Sequence, residues 1–159
     1  MTDLEKVEQF HKTFGLPVLD EPEIPEDRKQ LRANLIMEEA AELEEAILEG
    51  DLTGVLKEAS DLLYVLHGMV LEFGLGELFE QAFDKVHKSN MTKTITKNQV
   101  VENLEYYADV KNTMCKAEEV EDEIFVLRRM SDGKVLKPLS YKPAQEDIIK
   151  LLKEELKEE

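Results

Sequence analysis

The chain has 159 residues, 42% of them hydrophobic and 35% charged, which is apolar enough to build one ordinary domain and too patterned for disorder. Acids outnumber bases 36 to 20, and the resulting net charge of −16 argues against unassisted binding of a nucleic-acid backbone, which needs a basic surface. A phosphate-bearing ligand stays compatible with that charge only if bridging cations or a local basic patch offset the repulsion.

Residues 2 to 14 are expected to form a short helix with Leu4, Val7, Phe10, His11 and Phe14 on one side. Gly15, Pro17, Pro22 and Pro25 mark residues 15 to 27 as an extended connection, with Asp27 placed to cap the second helix. From Arg28 to Glu49 the chain lacks Gly and Pro and is rich in Leu, Ala and Glu, all good helix formers. Gly50 ends that helix and Asp51 caps the next, which runs from about residue 52 to 73 and stops at Gly74 and Gly76. A fourth helix is expected over about 77 to 90, so residues 1 to 93 read as a helical core with short loops between its last three helices.

The extension, 94 to 159, is mixed and is expected to pack on the same single domain. Val100, Val101, Leu104, Tyr107 and Ala108 fall at helical spacing within 98 to 113. Glu123 to Met130 is β-like, Ser131-Asp132-Gly133 is a turn, and Lys134 to Lys137 is the expected returning strand of a hairpin. Gln145 to Glu159 reads as an amphipathic terminal helix with a frayed end.

The single cysteine, Cys115, excludes an internal disulfide framework and a Cys-based zinc site. Met1-Thr-Asp-Leu-Glu-Lys carries no apolar signal region, and the apolar stretch Leu62 to Leu71 falls short of the roughly 20 residues a bilayer requires. A soluble, cytoplasmic protein with neither a membrane nor a nucleic-acid partner is expected.

The informative feature is where the acids lie. With Leu31 at zero and about 100° per residue, Leu35, Ala46, Leu43, Ile36 and Ile47 fill the arc to about 160° as a stripe expected to be buried. Glu42 falls at about 20° and Glu39 at about 80°, inside the stripe, and Glu38 at about 340°, on its edge. The next helix is almost wholly apolar from Leu52 to Leu71 and is expected to be buried on most sides; its only acids over that span are Glu58 and Asp61. Residues three apart share a helix face, about 5–6 Å from each other, and both pairs have that spacing. Facing carboxylates must be neutralised by Lys or Arg, for which Arg28 and Arg32 are candidates, or by a metal. Oxygen-only ligands point to Mg²⁺, or Mn²⁺ in its place.

These residues carry a resemblance. Leu35-Ile-Met-Glu38-Glu39-Ala-Ala-Glu42-Leu and Glu58-Ala-Ser-Asp61-Leu-Leu-Tyr resemble the EExxE and ExxD motifs of the all-α nucleoside triphosphate pyrophosphohydrolases. This is the MazG-like group, with dimeric dUTPases and phosphoribosyl-ATP pyrophosphohydrolase among its members. Gly50-Asp51 and Val86-His87-Lys88-Ser89-Asn90-Met91-Thr92-Lys93 continue the match, and Asp132-Gly-Lys134-Val-Leu-Lys137 with Tyr141 is similar to the tail of one bacterial subgroup. Residues 94 to 122 have no counterpart and read as an insertion. The fold implied is mainly α: a four-helix-bundle-type core of that superfamily with a small C-terminal β-hairpin and terminal helix.

The resemblance implies Mg²⁺-dependent cleavage of a nucleoside triphosphate to monophosphate and pyrophosphate, with dUTP or dCTP as first expectation and a non-standard nucleotide as the other. Glu39, Glu42, Glu58 and Asp61 are the implied metal ligands and Glu38 the implied general base. Four lysines, Lys85, Lys88, Lys93 and Lys97, stand against one acid, Asp84, over 84 to 97. Lys88 and Lys93 are candidates for phosphate oxygens and Asn90 for a base or sugar edge. The helix dipole alone accounts for Lys85 and Lys88, less well for Lys93 and Asn90. His87 is expected to be structural. By spacing, Lys134 and Lys137 are an ordinary turn's exposed lysines; the resemblance makes them, with Tyr141, candidates to close over the nucleotide.

Two rivals are a non-catalytic helical interaction module with an acidic face and a di-iron carboxylate bundle. The second needs two Glu-x-x-His pairs, and only Glu8-x-x-His11 fits. A homodimer or higher homo-oligomer is expected, because so apolar a third helix exceeds what one small bundle covers.

Overall fold

The computed structural model describes residues 1–156. They form two compact units, residues 1–80 with 155–156, and residues 81–154.

The first unit begins with α1 (Asp3–Phe14), opened by a capping box in which Thr2 accepts from the Glu5 amide and Glu5 from the Thr2 amide. Val7 and His11 are its buried residues; Phe10 and Phe14, expected beside them, are exposed and stack on one another. The proline-rich arm after α1 is tied down: the Leu19 and Glu23 amides donate to the carbonyls of Leu71 and Phe73, each at 3.0 Å. Gly74 makes this possible. Its φ is +63°, and a Cβ there would lie 1.9 Å from the Glu21 carbonyl oxygen, so no other residue fits.

Helix α2 (Lys29–Glu49) is not capped by Asp27. Arg28 holds the cap position without a side-chain bond, and a tight turn takes over, with the Arg28 and Lys29 amides both donating to the Pro25 carbonyl. Gly50 closes α2 in the left-handed region, and Asp51 caps α3 (Leu52–Glu72) by accepting from the Thr53 amide at 3.1 Å. The two helices run antiparallel as a hairpin with a regular register. Ala46 faces Gly54, Glu42 faces Glu58, Glu39 faces Asp61 and Arg32 faces Gly68. Small residues therefore stand at both ends of the shared face and acids in the middle.

At the far end sits a buried ionic clamp. Glu72, fully buried, accepts from Arg28 at 3.0 and 2.7 Å and from Arg32 at 2.6 Å. Arg32 lies 3.2 Å from His11 Nε2, and His11 Nδ1 lies 2.8 Å from the Pro17 carbonyl. An arginine only donates, so His11 is the neutral tautomer with its proton on Nδ1. Gly68 leaves the room: a Cβ there would meet Arg32 Nη1 at 2.6 Å. Arg28 and Arg32 are thus committed to Glu72, one residue past the apolar run, and not to the acidic pairs.

Burial is narrower than the pattern suggests. On α3 only Gly68 and Val70 to Glu72 are buried, while Leu52 and Leu56 are 81% and 73% exposed. On α2, Ala46 and Arg32 are buried, but Leu31 and Ile47, the two edges of the stripe, are open.

Helix α4 spans Gly76–Met91, so Gly76 opens it and does not only break the helix before. The second unit continues with β1 (Thr94–Thr96), a 3₁₀ turn at Lys97–Gln99, α5 (Val100–Asp109), β2 (Cys115–Glu121), β3 (Ile124–Arg129) and α6 (Gln145–Glu155). The sheet is antiparallel in the order β1-β3-β2, with Ile95 opposite Phe125 and Ala117 opposite Leu127. Ile95, Leu127 and Leu136 are its core, covered by Val100, Leu104, Tyr107 and Phe125.

Two expectations are corrected in this unit. The helix expected over 98 to 113 is shorter. The hairpin joins β3 to β2 through a turn in which Glu123 has φ +58°, and does not join β3 to Lys134–Lys137. The latter segment makes one bridge, Arg128 to Val135, and then leaves the sheet. Pro138 has no amide to donate, and the neighbouring groups go elsewhere: the Lys137 carbonyl accepts from Tyr107 at 2.8 Å, and the Leu139 amide donates to buried Asn103 at 2.8 Å. Of the terminal helix expected over 145 to 159, residues 157 to 159 lie outside the described residues. Among the described residues no helix is long and apolar enough to cross a membrane.

Candidate active site

The hairpin register creates the site. Glu39 leaves α2 one turn before Glu42, and Glu58 leaves α3 one turn before Asp61, so antiparallel packing sets the two pairs against each other. One carboxylate oxygen from each of Glu39, Glu58 and Asp61 lies within 4.8 Å of the others, all three residues being half-buried. Glu42 stands beside them, hydrogen-bonded to Glu58. That bond, and then the charge of Glu58, raise its carboxyl above the ordinary range. Glu38 is on the same α2 turn as Glu39 and is exposed.

The acids are partly neutralised from an unexpected direction. Lys57 Nζ lies 2.9 Å from Asp61, 3.0 Å from Glu58 and 4.0 Å from Glu42. Its hydrogen bonds to Asp61 and Glu58 raise its pKa, favouring the charged ammonium. The signal for this in the sequence is the i,i+4 spacing to Asp61, easily passed over because Lys57 sits at the last basic position before the acids. An oxygen-only set of this kind suits a hard divalent cation such as Mg²⁺ or Mn²⁺, and contains no His or Cys that would favour a softer ion. His11 has both ring nitrogens engaged with Arg32 and Pro17, so the Glu8-x-x-His11 pair of the di-iron reading has no free imidazole to offer.

Of the residues expected to meet the nucleotide, the second unit gathers two. Lys137 Nζ sits 4.8 Å above the ring of Tyr141. Ser89 on α4, not singled out from sequence, lies 2.8 Å from the Tyr141 hydroxyl and donates to the Lys142 carbonyl at 2.7 Å. The Lys142 amide in turn donates to Thr92. Tyr141 is therefore held in place by the end of α4. Lys88 and Asn90 are exposed on α4, and Lys93 is half-buried in the turn after it, its amide bonded to the Asn90 carbonyl. Lys134 lies apart, at the turn where its amide donates to Asp132. His87 is exposed.

Residues 7–90 match the profile of the phosphoribosyl-ATP pyrophosphohydrolase family, a span that takes in α2, α3 and all four acids. The chain belongs to that family, within the MazG-like all-α nucleoside triphosphate pyrophosphohydrolases. It is also 32% identical over 122 residues to an uncharacterized protein of Acanthamoeba polyphaga mimivirus. That alignment takes in 72% of this chain and 49% of the relative, so the chain spans about half the relative's length.

Proposed function

We propose that the protein is a cytoplasmic, Mg²⁺-dependent nucleoside triphosphate pyrophosphohydrolase, with dUTP or dCTP the foremost substrates and a non-standard nucleotide the alternative. The observation that carries this reading is the convergence of Glu39, Glu58 and Asp61 across the α2–α3 hairpin. A bundle gains nothing from crowding acids; the crowding is accounted for if a cation shares their oxygens. Bound there, Mg²⁺ supplies charge neutralisation for the triphosphate and acidifies water.

The chain's own residues divide the remaining work. Glu39, Glu58 and Asp61 hold the cation, with Glu42 completing the set as Glu58 releases it. Glu38, exposed on the same helix face, takes the proton from the attacking water as general base. The water's oxygen ends on phosphorus, and pyrophosphate leaves from the nucleoside monophosphate. Lys88, Lys93, Lys134 and Lys137 are the proposed partners of phosphate oxygens, and Asn90 and Tyr141 of the nucleoside. A homodimer is proposed as the working unit, because Leu48, Leu52 and Leu56, near the α2–α3 turn, are all exposed.

The test is a panel of nucleoside triphosphates, with phosphoribosyl-ATP included because the matched family bears its name, assayed with Mg²⁺ for pyrophosphate and monophosphate. Turnover of at least one substrate, lost in excess chelator, is expected. Diphosphate plus phosphate as products, or full turnover in chelator, refutes the reading. Absence of any turnover returns the chain to a helical interaction module.

A further inference from the structure

Among the described residues, Lys57 is the cation placed among the acids, and its position is more specific than that of an ordinary surface lysine. An i,i+4 pair with Asp61 alone would be a common helical ion pair. Here the same ammonium also reaches Glu58 on its own helix, at 3.0 Å, and Glu42 across the hairpin, at 4.0 Å. It thus touches two of the three carboxylates that converge and the acid next to them. The side chain is 61% exposed, and its ammonium is turned toward these charges.

Resting on the metal reading above, we infer that Lys57 is a tethered counter-cation that competes with the divalent cation for Asp61 and Glu58, and thereby sets the concentration at which the site fills. An ammonium and a metal ion cannot both sit between the same carboxylates, for a combined charge of +3 at under about 4 Å is strongly repulsive. Because four flexible methylenes carry the ammonium, its departure requires no backbone movement. The bonds it surrenders are exposed ones, each worth little on its own. The consequence is a site whose acids are kept from repelling one another by the chain itself, at the expense of cation affinity. Removing the ammonium should tighten cation binding and weaken the protein that has bound none.

The experiment is calorimetric titration of Mg²⁺ and Mn²⁺ into the full chain as wild type, Lys57→Met, Lys57→Arg and Asp61→Asn. Thermal melts without and with the ion accompany it. Met keeps the length of the side chain and removes the charge. The expected result is roughly tenfold tighter binding in Lys57→Met, with Lys57→Arg close to wild type. Without the ion, Lys57→Met should melt lower than wild type. In parallel, amine acetylation followed by mass spectrometry should show Lys57 labelled faster as the ion is added, with the remaining lysines as internal standard. Equal affinities for wild type and Lys57→Met, with Asp61→Asn weakened, would overturn the role of Lys57 and leave the metal site standing. Lys57 labelling that does not respond to a bound ion would do the same. No binding to any of the four proteins removes both readings together.

Discussion

Glu72 offers the sharpest quantitative test of how the hairpin is held. Burial pushes its carboxyl toward protonation, but hydrogen bonds from Arg32 and Arg28 outweigh that and lower its pKa from 4.5 to about 2. A difference of roughly 2.5 units corresponds to about 3 kcal/mol between folded and unfolded chains. The sign follows from the direction. A folded pKa below the unfolded one contributes stability that is complete above about pH 5 and is lost as the pH falls from 4.5 toward 2. Glu72→Gln should therefore destabilise the protein at pH 7 by about 3–5 kcal/mol, because it leaves the buried Arg32 guanidinium without its counter-charge. At pH 3 the gap between wild type and variant should be smaller by about 2 kcal/mol. Replacing two partners, Arg32→Met with Glu72→Met, should cost less than Glu72→Gln, since no fully buried charge is then left unpaired and Arg28, which also loses Glu72, is a quarter exposed to water. Urea unfolding at the two pH values measures all three. A Glu72→Gln variant within about 1 kcal/mol of wild type at pH 7, or a gap that does not shrink on acidification, would refute the reasoning.

Two further outcomes are expected. Glu38→Gln should lower turnover by about 10²–10⁴-fold while leaving Mg²⁺ affinity unchanged, because its proposed work is proton transfer; affinity falling in parallel with rate would make Glu38 a ligand. Leu52→Glu with Leu56→Glu should weaken self-association by about 100-fold or more, since each Leu contributes about 1.5–3 kcal/mol when buried. Sedimentation of wild type at micromolar concentration reads this directly, and a wild-type monomer that turns over nucleotide removes the dimer.

The helices are legible in the sequence because their boundaries are local. Gly50 and Asp51 announce a stop and a start whatever surrounds them, and the acids at i and i+3 within apolar runs mark one face of each helix before the two are placed together. The illegible parts depend on partners distant in sequence. Helical periodicity places Arg32 in the middle of the buried stripe, but only the fold brings Glu72, forty residues away, to meet it. Strand β2 escapes a sequence reading because it is the charged edge of its sheet, with Lys116, Glu118, Glu119 and Glu121 guarding it against further pairing, and such a strand lacks the alternation that betrays a buried one. The segment Lys134–Lys137 misleads for the opposite reason: it has the residues of a strand, but Asn103 and Tyr107 take the backbone groups beyond its single bridge.

The register of α2 against α3 joins these observations to the site. Ala46 against Gly54 lets the helices close at the hairpin end, and Gly68 under Arg32 lets a guanidinium enter at the other. Between those fixed points every facing pair is determined, and Glu39 must meet Asp61 as Glu42 meets Glu58. A slip of one residue would turn Glu39 by about 100° and separate it from Asp61, while also pulling Arg32 from Glu72. The clamp does not touch the acids and has no chemistry to offer a nucleotide. It fixes one end of the register, as Ala46 against Gly54 fixes the other, and the acids converge between those two contacts.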